Sequence, residues 1–266
     1  MRQPNAFGRD LDGKAAIVTG GSQGLGEAIA REFAARGARG LLLTGRNAAR
    51  GEAVAASLRA EGCEARFHQV DLADLDAVRQ VVPAAEGAFG RLDILVNAAG
   101  DTDRGTIFDT SPILYERIMA VNLRAPFFLI QDSAELMRRQ GIEGAIVNIQ
   151  SMSAHGGQPF LSAYSVSKGA LAVLTKNAAY GLLKHRIRVN GLNIGWMATP
   201  GEDAIMKLRH DAKDGWLDEA SAGQPFGRLI DPREVAKAVA YLASGESGLM
   251  TGANIDFDQT ILGAHD

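Results

Sequence analysis

Ala15-Ala16-Ile17-Val18-Thr19-Gly20-Gly21-Ser22-Gln23-Gly24-Leu25-Gly26 is the stretch on which the fold turns. A short apolar run passes into a glycine-rich turn, and Ala28, Ile29, Phe33 and Ala34 then follow at helical spacing. Glycines let the backbone turn tightly, approach a ligand closely and pack a helix on a sheet. The start of that helix offers free N–H groups and a partial positive charge, which suit a phosphate. A lone segment of this kind also fits a ligand-free turn between strand and helix. The surrounding sequence has to decide.

Outward from this stretch, short apolar runs recur. They are Leu41-Leu42-Leu43, Ala65-Arg66-Phe67-His68-Gln69-Val70, Leu92-Asp93-Ile94-Leu95-Val96, Ala145-Ile146-Val147-Asn148-Ile149, Arg188-Val189-Asn190-Gly191-Leu192-Asn193 and Asn254-Ile255-Asp256-Phe257. Helical patterns such as 27–36 and 48–61 lie between them. Strands covered on both faces read as continuous apolar runs. Seven of them alternating with helices predict an α/β fold with a doubly wound, Rossmann-type, seven-stranded parallel sheet. Right-handed crossovers put the C-terminal end of every strand on one edge, where ligands bind. No linker or repeat divides the chain, so residues 1–266 are expected to form one domain, with 1–10 as a flexible lead and about 198–225 as a substrate lid.

Composition excludes several classes. The 266 residues are 46% hydrophobic and carry 28 Lys and Arg against 31 Asp and Glu, a net charge of -3. That balance argues against a nucleic-acid partner, because phosphate contacts need a basic face. One cysteine, Cys63, builds neither a disulfide framework nor a cysteine zinc site, and the five histidines are scattered, so no metal is expected. No signal-peptide core or membrane-length apolar run is visible, so the expected location is the cytoplasm, away from membranes.

Chemistry is sought just after each run. The second ends in Thr44-Gly45-Arg46-Asn47. The usual carboxylate for ribose hydroxyls is absent there, and Arg46 could meet a 2′-phosphate through charge-assisted hydrogen bonds or simply be a solvated surface side chain. The third ends in Asp71-Leu72, where Asp71 could accept from an adenine amino group, cap the helix beginning near Leu75, or do both. Tyr164-Ser165-Val166-Ser167-Lys168 places Tyr164 and Lys168 on one helix face. An ammonium beside a phenol favours phenolate and would bring Tyr164 down from its ordinary pKa near 10. The pair stands thirteen residues after Ser151, at the end of the fifth run.

Together these segments resemble the short-chain dehydrogenase/reductase family over about residues 11–258. The loop from Thr19 to Gly26 is similar to its TGxxxGxG cofactor motif, and Asn97-Ala98-Ala99-Gly100 to its NNAG segment. Val121-Asn122-Leu123, Ser151, Tyr164 with Lys168, and Asn190 followed by Gly195 and Thr199 match further motifs in order. The resemblance implies a catalytic tetrad. Tyr164 would exchange a proton with the substrate oxygen, which Ser151 orients. Lys168 would hold the nicotinamide ribose and lower the Tyr164 pKa, and Asn122 would position a relay water. It implies NADP, or NAD, held by Gly20, Ser22, Gln23, Gly24, Leu25, Gly26, Arg46, Asn47, Asp71, Leu72, Asn97, Gly100, Tyr164, Lys168 and Thr199. It also implies a homotetramer; the face carrying Ala170, Leu171, Leu174, Ala178 and Leu182 is of the kind an interface needs, or it packs on its own sheet. The chain departs from the pattern at Ile194-Gly195, at Gln23, where a basic residue is common, and at Asp256-Phe257-Asp258-Gln259.

The pocket should be lined by residues near these motifs. Asp101-Thr102-Asp103-Arg104, Asn193, Met197, Glu202 and Asp203 are mostly polar. Gln150, Ser153, His155 and Trp196 are the expected small-molecule substrate contacts, with His155 foremost because its loop carries Ser151. Hydrogen-bonding walls favour a sugar or polyol over an apolar substrate. A 3-oxoacyl reductase, acting on a carrier-protein or coenzyme A thioester, is the alternative. A non-catalytic NAD(P)-binding sensor is disfavoured because Tyr164 and Lys168 are both present.

Overall fold

The computed structural model describes residues 10–264, so most of the predicted flexible lead lies outside the described residues. Asp10, its last residue, is not loose. It accepts from the Arg36 guanidinium at 3.0 Å, and Glu32 takes the other side of that buried cation at 2.8 Å. Burying Arg36 is tolerated because both carboxylates meet it.

Seven strands, β1 (Ala15–Thr19), β2 (Gly40–Gly45), β3 (Glu64–Gln69), β4 (Ile94–Asn97), β5 (Ala145–Ser151), β6 (Arg188–Ile194) and β7 (Asn254–Phe257), form one sheet in the order β3-β2-β1-β4-β5-β6-β7. Every pairing is parallel, as the apolar runs predict. Strand order reverses between β1 and β4, which opens a crevice at their C-terminal ends.

Alternation within the strands builds two core layers. Ala16 and Val18 of β1 join one with α1 (Gly24–Ala35), α2 (Ala48–Ala60) and α10 (Pro232–Ala243), centred on Phe33, Leu58 and Val239. Ala15 and Ile17 join the other with α4 (Val81–Phe89), α6 (Ala125–Gln140) and α7 (Ser162–Leu182). The short α3 (Leu75–Val78) precedes α4, and α5 (Pro112–Met119) precedes α6. A π-helical turn over Ala120–Arg124 separates α5 from α6. Leu171 is buried, and Leu174, Ala178 and Leu182 pack on the second layer, so this side of α7 covers its own sheet.

Between β6 and α10 the chain leaves the strand-helix alternation, where a lid was predicted. It forms α8 (Pro200–Arg209) and α9 (Trp216–Ala222). The excursion begins and ends at one point. Ile230 N donates to Trp196 O at 3.0 Å, and Ala198 N donates to Ile230 O at 3.1 Å. Trp216 stacks on Trp196 with centroids 6.0 Å apart and donates to Asp203 at 2.8 Å.

Candidate active site

The glycine loop starts α1 as its sequence requires. Gly24 has φ +58°, the left-handed region, and a Cβ at Gly26 would lie 2.3 Å from Gly20 O. Leu25 and Ser22 are buried beneath the loop. Thr199 caps α8, accepting from Glu202 N at 3.1 Å, and its Cβ stands 3.5 Å from where a Gly24 Cβ would be. A cleft of about 670 Å³ lies among Ser22, Gln23, Arg31, Arg50, Pro200 and Gly201.

At the end of β2, Arg46 is exposed, and its guanidinium has no partner among the described residues. Asn47 is spent as the N-cap of α2, accepting from Arg50 N at 2.9 Å. Gln23 accepts from the Arg50 guanidinium. Asp71 does not cap the helix at Leu75. Asp74 does, accepting from Asp76 N and Ala77 N, because it stands immediately before the first turn. Asp71 closes its own turn onto Ala73 N at 2.9 Å, and Leu72 is buried.

Thr19, Asn97, Asn122, Ser151 and Lys168 meet where β1, β4 and β5 end. Thr19 Oγ1 accepts from Ala98 N and Ala99 N, which fixes the turn after β4. Asn97 donates to Asn148 Oδ1 at 2.8 Å, while its own Oδ1 is buried without a partner among the described residues. A Cβ on Gly100 would stand 3.6 Å from Lys168 Nζ and 3.7 Å from Asn122 Oδ1. An orphaned acceptor, a bare glycine beside an ammonium and an unpaired Arg46 fit a nucleotide cofactor, with Asn97 and Lys168 toward ribose hydroxyls and Arg46 toward a phosphate.

The Ser151 hydroxyl acts on the Tyr164 phenol, favouring its ionised form, and its Oγ accepts from Ser153 N at 3.1 Å. Lys168 Nζ donates to Ile149 O at 2.8 Å and lies 5.7 Å from the centre of the Tyr164 ring. The expected depression of the phenol by Lys168 is not met. Desolvation pushes Tyr164 above its ordinary value, outweighing the Ser151 hydroxyl, and burial pushes Lys168 down to about 8. Asn122 sits in the π turn and spends both amide protons, on Asp101 O and Ser167 Oγ, and its Oδ1 on Asp101 N. These bonds fix the loop after β4 against α7, and Oδ1 keeps a second lone pair for the relay water that the family resemblance implies.

The substrate candidates divide. Ser153, next but one to Ser151, is buried and donates to Gln158. Trp196 is part-exposed and donates to Glu202 Oε1 at 3.0 Å. Gln150 is turned inward, donating to Thr175 Oγ1 and Asn254 Oδ1 at 2.9 Å each, because alternation along β5 sends it away from Ser151's side. His155 lies 3.1 Å from Asp256 Oδ1 and 3.3 Å from Asn193, so its ring is engaged by β6 and β7. The charges that act on Tyr164 are instead Glu202 and Arg104. Sequence reading placed both among pocket-lining segments without singling them out, since nothing local marks a contact between residues 98 positions apart. Ser167 and Asn148 were missed for the same reason. Gly195, which keeps the family pattern beside the departure at Ile194, receives the other departing stretch: a Cβ there would lie 1.7 Å from Asp258 Oδ1. No group of three or more His, Cys, Asp or Glu among the described residues could hold a metal. No helix among them is long and apolar enough to cross a membrane.

A sheet of this topology with this site at its carboxyl edge defines an α/β oxidoreductase. Comparisons agree. A family model described as enoyl-(acyl carrier protein) reductase matches residues 20–260. The chain is 34% identical over 250 residues to an NADP-dependent (R)-specific alcohol dehydrogenase of Lentilactobacillus kefiri, covering 93% of this chain and 96% of that one. It is 34% identical over 249 residues to an oxidoreductase of Thermotoga maritima, covering 93% and 95%. Among solved structures, a short-chain dehydrogenase/reductase from Mycobacterium marinum superposes with a TM-score of 0.85 at 31% identity, covering 94% and 96%. The chain belongs to the short-chain dehydrogenase/reductase family, whose members bind NAD(P) and act on small molecules.

Proposed function

We propose that this oxidoreductase transfers hydride between NADP, or NAD, and a secondary alcohol or its ketone, the substrate being a sugar or polyol. The observation that carries the reaction class is Tyr164 with the Ser151 hydroxyl acting on its phenol and Lys168 one helical turn along, pinned to Ile149 O. The bound nicotinamide supplies or accepts the hydride. Ser151 and Tyr164 hold the substrate oxygen between two hydroxyls, and Tyr164 gives or takes its proton. Lys168, buried and able to titrate near pH 8, passes that proton onward. Arg46 favours NADP, because an unpaired guanidinium meets a 2′-phosphate at little cost.

Charged groups support the substrate class: Arg104 and Glu202 act on the Tyr164 phenol, Arg104 held by Thr102 O and Glu202 by Trp196. The 3-oxoacyl alternative has two supporting observations, the acyl-carrier-protein description of the matching family model and a 37% identical solved structure described as a betaketoacyl-ACP reductase. The test is Tyr164→Phe, which deletes the hydroxyl and keeps the ring. Turnover should fall about 10²–10⁴-fold while NADP still binds by fluorescence titration. A variant with more than half of wild-type turnover refutes the assignment. A panel of polyols, sugars and 3-oxoacyl thioesters with both cofactors, followed at 340 nm as the characteristic absorbance of reduced nicotinamide (about 340 nm), separates the two substrate classes.

The assembly proposed is a homotetramer. Its support is an unpartnered apolar set on α5, α6 and α7, where Ile113, Phe127, Val166, Val173 and Tyr180 are exposed, with Leu183 just past the end of α7. This is the opposite side of α7 from the one that covers the sheet. The proposed location is the cytoplasm.

A further inference from the structure

Arg104 and Glu202 come from different elements, meet each other, and both act on the charge of Tyr164; Gly105, next to Arg104, pairs with Leu161 at the start of the Tyr164 helix. Arg104 lies in the loop after β4. That loop is tied to the start of α7 by Gly105 N donating to Phe160 O at 2.9 Å and Ser162 N donating to Gly105 O at 3.1 Å. Glu202 lies in the first turn of α8. Arg104 Nη2 is 3.5 Å from Glu202 Oε1, and both side chains are largely covered, at 15% and 17% exposure. Arg104 is held in place by Thr102 O at 2.7 Å, His210 at 3.2 Å and the Phe160 ring, while Trp196 fixes Glu202.

The neighbouring acids are already neutralised. Asp101 pairs with Arg117, and Asp103 pairs with both Arg117 and Arg209. The two charges that remain to act on Tyr164 are therefore one donor-only and one acceptor-only group. At 3.5 Å they are farther apart than a tight charge-assisted pair, about 2.7–2.9 Å. Arg104 retains two N–H groups beyond its three named contacts, and Glu202 Oε2 has no partner among the described residues.

We propose that Arg104 and Glu202 together read the hydroxyl group beside the reacting carbon, Arg104 donating to it and Glu202 accepting from it. The inference rests on the sugar or polyol reading above and names the residues that enforce it. A hydroxyl both accepts and donates, so one such group satisfies both side chains at once. An apolar substrate leaves a desolvated guanidinium and carboxylate with only their loose mutual contact. A substrate carboxylate would satisfy Arg104 but add negative charge beside Glu202 and the developing Tyr164 phenolate. The pair thus selects a neutral, hydroxylated molecule, a task that His155 and Gln150 are not placed to perform.

The test compares 2,3-butanediol with 2-butanol, two probes that share a carbon skeleton and differ in one hydroxyl. The readout is the ratio of their kcat/KM values in wild type, Glu202→Gln and Arg104→Met, with NADP affinity measured separately by fluorescence titration. The diol-to-alcohol ratio should fall about 10- to 100-fold in both variants, mainly through KM for the diol. Glu202→Gln keeps side-chain size, so it carries the test if Arg104→Met fails to fold. A wild-type preference for the diol that neither variant moves overturns the role of the pair alone. A wild type that prefers 2-butanol overturns the polyol reading, and the pair's role with it.

Discussion

Lys168 is buried and Tyr164 is part-buried, and desolvation moves each toward its neutral form. The sign of the consequence for stability follows from Lys168. Its pKa falls from 10.5 to about 8 in the folded chain, so below pH 8 the fold carries a buried ammonium that the unfolded chain would solvate. That penalty, on the order of 3 kcal/mol, is relieved as pH rises from 8 to 10.5, where the unfolded state binds more protons. Lys168→Met should therefore abolish turnover yet stabilise the protein at pH 7 by about 2 kcal/mol, after allowing for the lost bond to Ile149 O. The advantage should shrink above pH 8; urea melts at pH 7 and pH 10 read it directly, and an equal gain at both would contradict the burial argument. Cys63 gives a simpler case. Burial raises its thiol to about 11, and Sγ lies 3.2 Å from Ala38 O. A disulfide reagent at pH 8 should label it only after denaturant is added.

At the scale of elements, strands covered on both faces were legible because their residues are apolar throughout, as in Leu41-Leu42-Leu43. Their carboxyl ends were less so. The fifth apolar run stops at Ile149, but β5 continues to Ser151, because Asn148 and Gln150 find partners inside the protein in Asn97, Thr175 and Asn254. Polar residues that satisfy one another across 25 to 104 positions leave no local pattern. The same gap explains why Tyr164, Lys168, Ser151 and the glycine loop are legible from spacing, while Gln150 and His155, expected as substrate contacts, are held by Thr175 and Asn254 and by Asp256 and Asn193. The π turn was equally silent. It brings Asn122 to Asp101 and Ser167, with three hydrogen bonds of 2.8, 2.9 and 3.0 Å. Asn122→Ala leaves those buried groups unpaired and should cost about 2–4 kcal/mol. Thermal melts check it; a shift of under a degree would mean the turn holds its loop without that side chain.

For the whole molecule, the proposed tetramer places its interface on the outward side of α7 and its neighbours. Light scattering at micromolar concentration should give four chains. Val173→Asp with Tyr180→Asp puts charge into that surface, where both residues are exposed in the single chain. The double variant should therefore run smaller without losing helical signal. A wild-type monomer refutes the assembly outright, and an unchanged tetramer in the variant moves the interface elsewhere.

The junction of Trp196, Ala198 and Ile230 has a consequence for how such a protein can diverge. Two backbone hydrogen bonds close the excursion on itself, and from it Thr199, Glu202, Arg209 and His210 reach back to the glycine loop and the loop after β4. Lengthening the segment adds loop entropy slowly, by about 0.6 kcal/mol for each doubling. The catalytic edge is thus a fixed socket, and the stretch from Thr199 to Leu229 is a fitting that can be exchanged as long as its contacts at Thr199 and Glu202 are kept. Ancestry can replace the fitting without retuning the socket, and so can a graft in the laboratory.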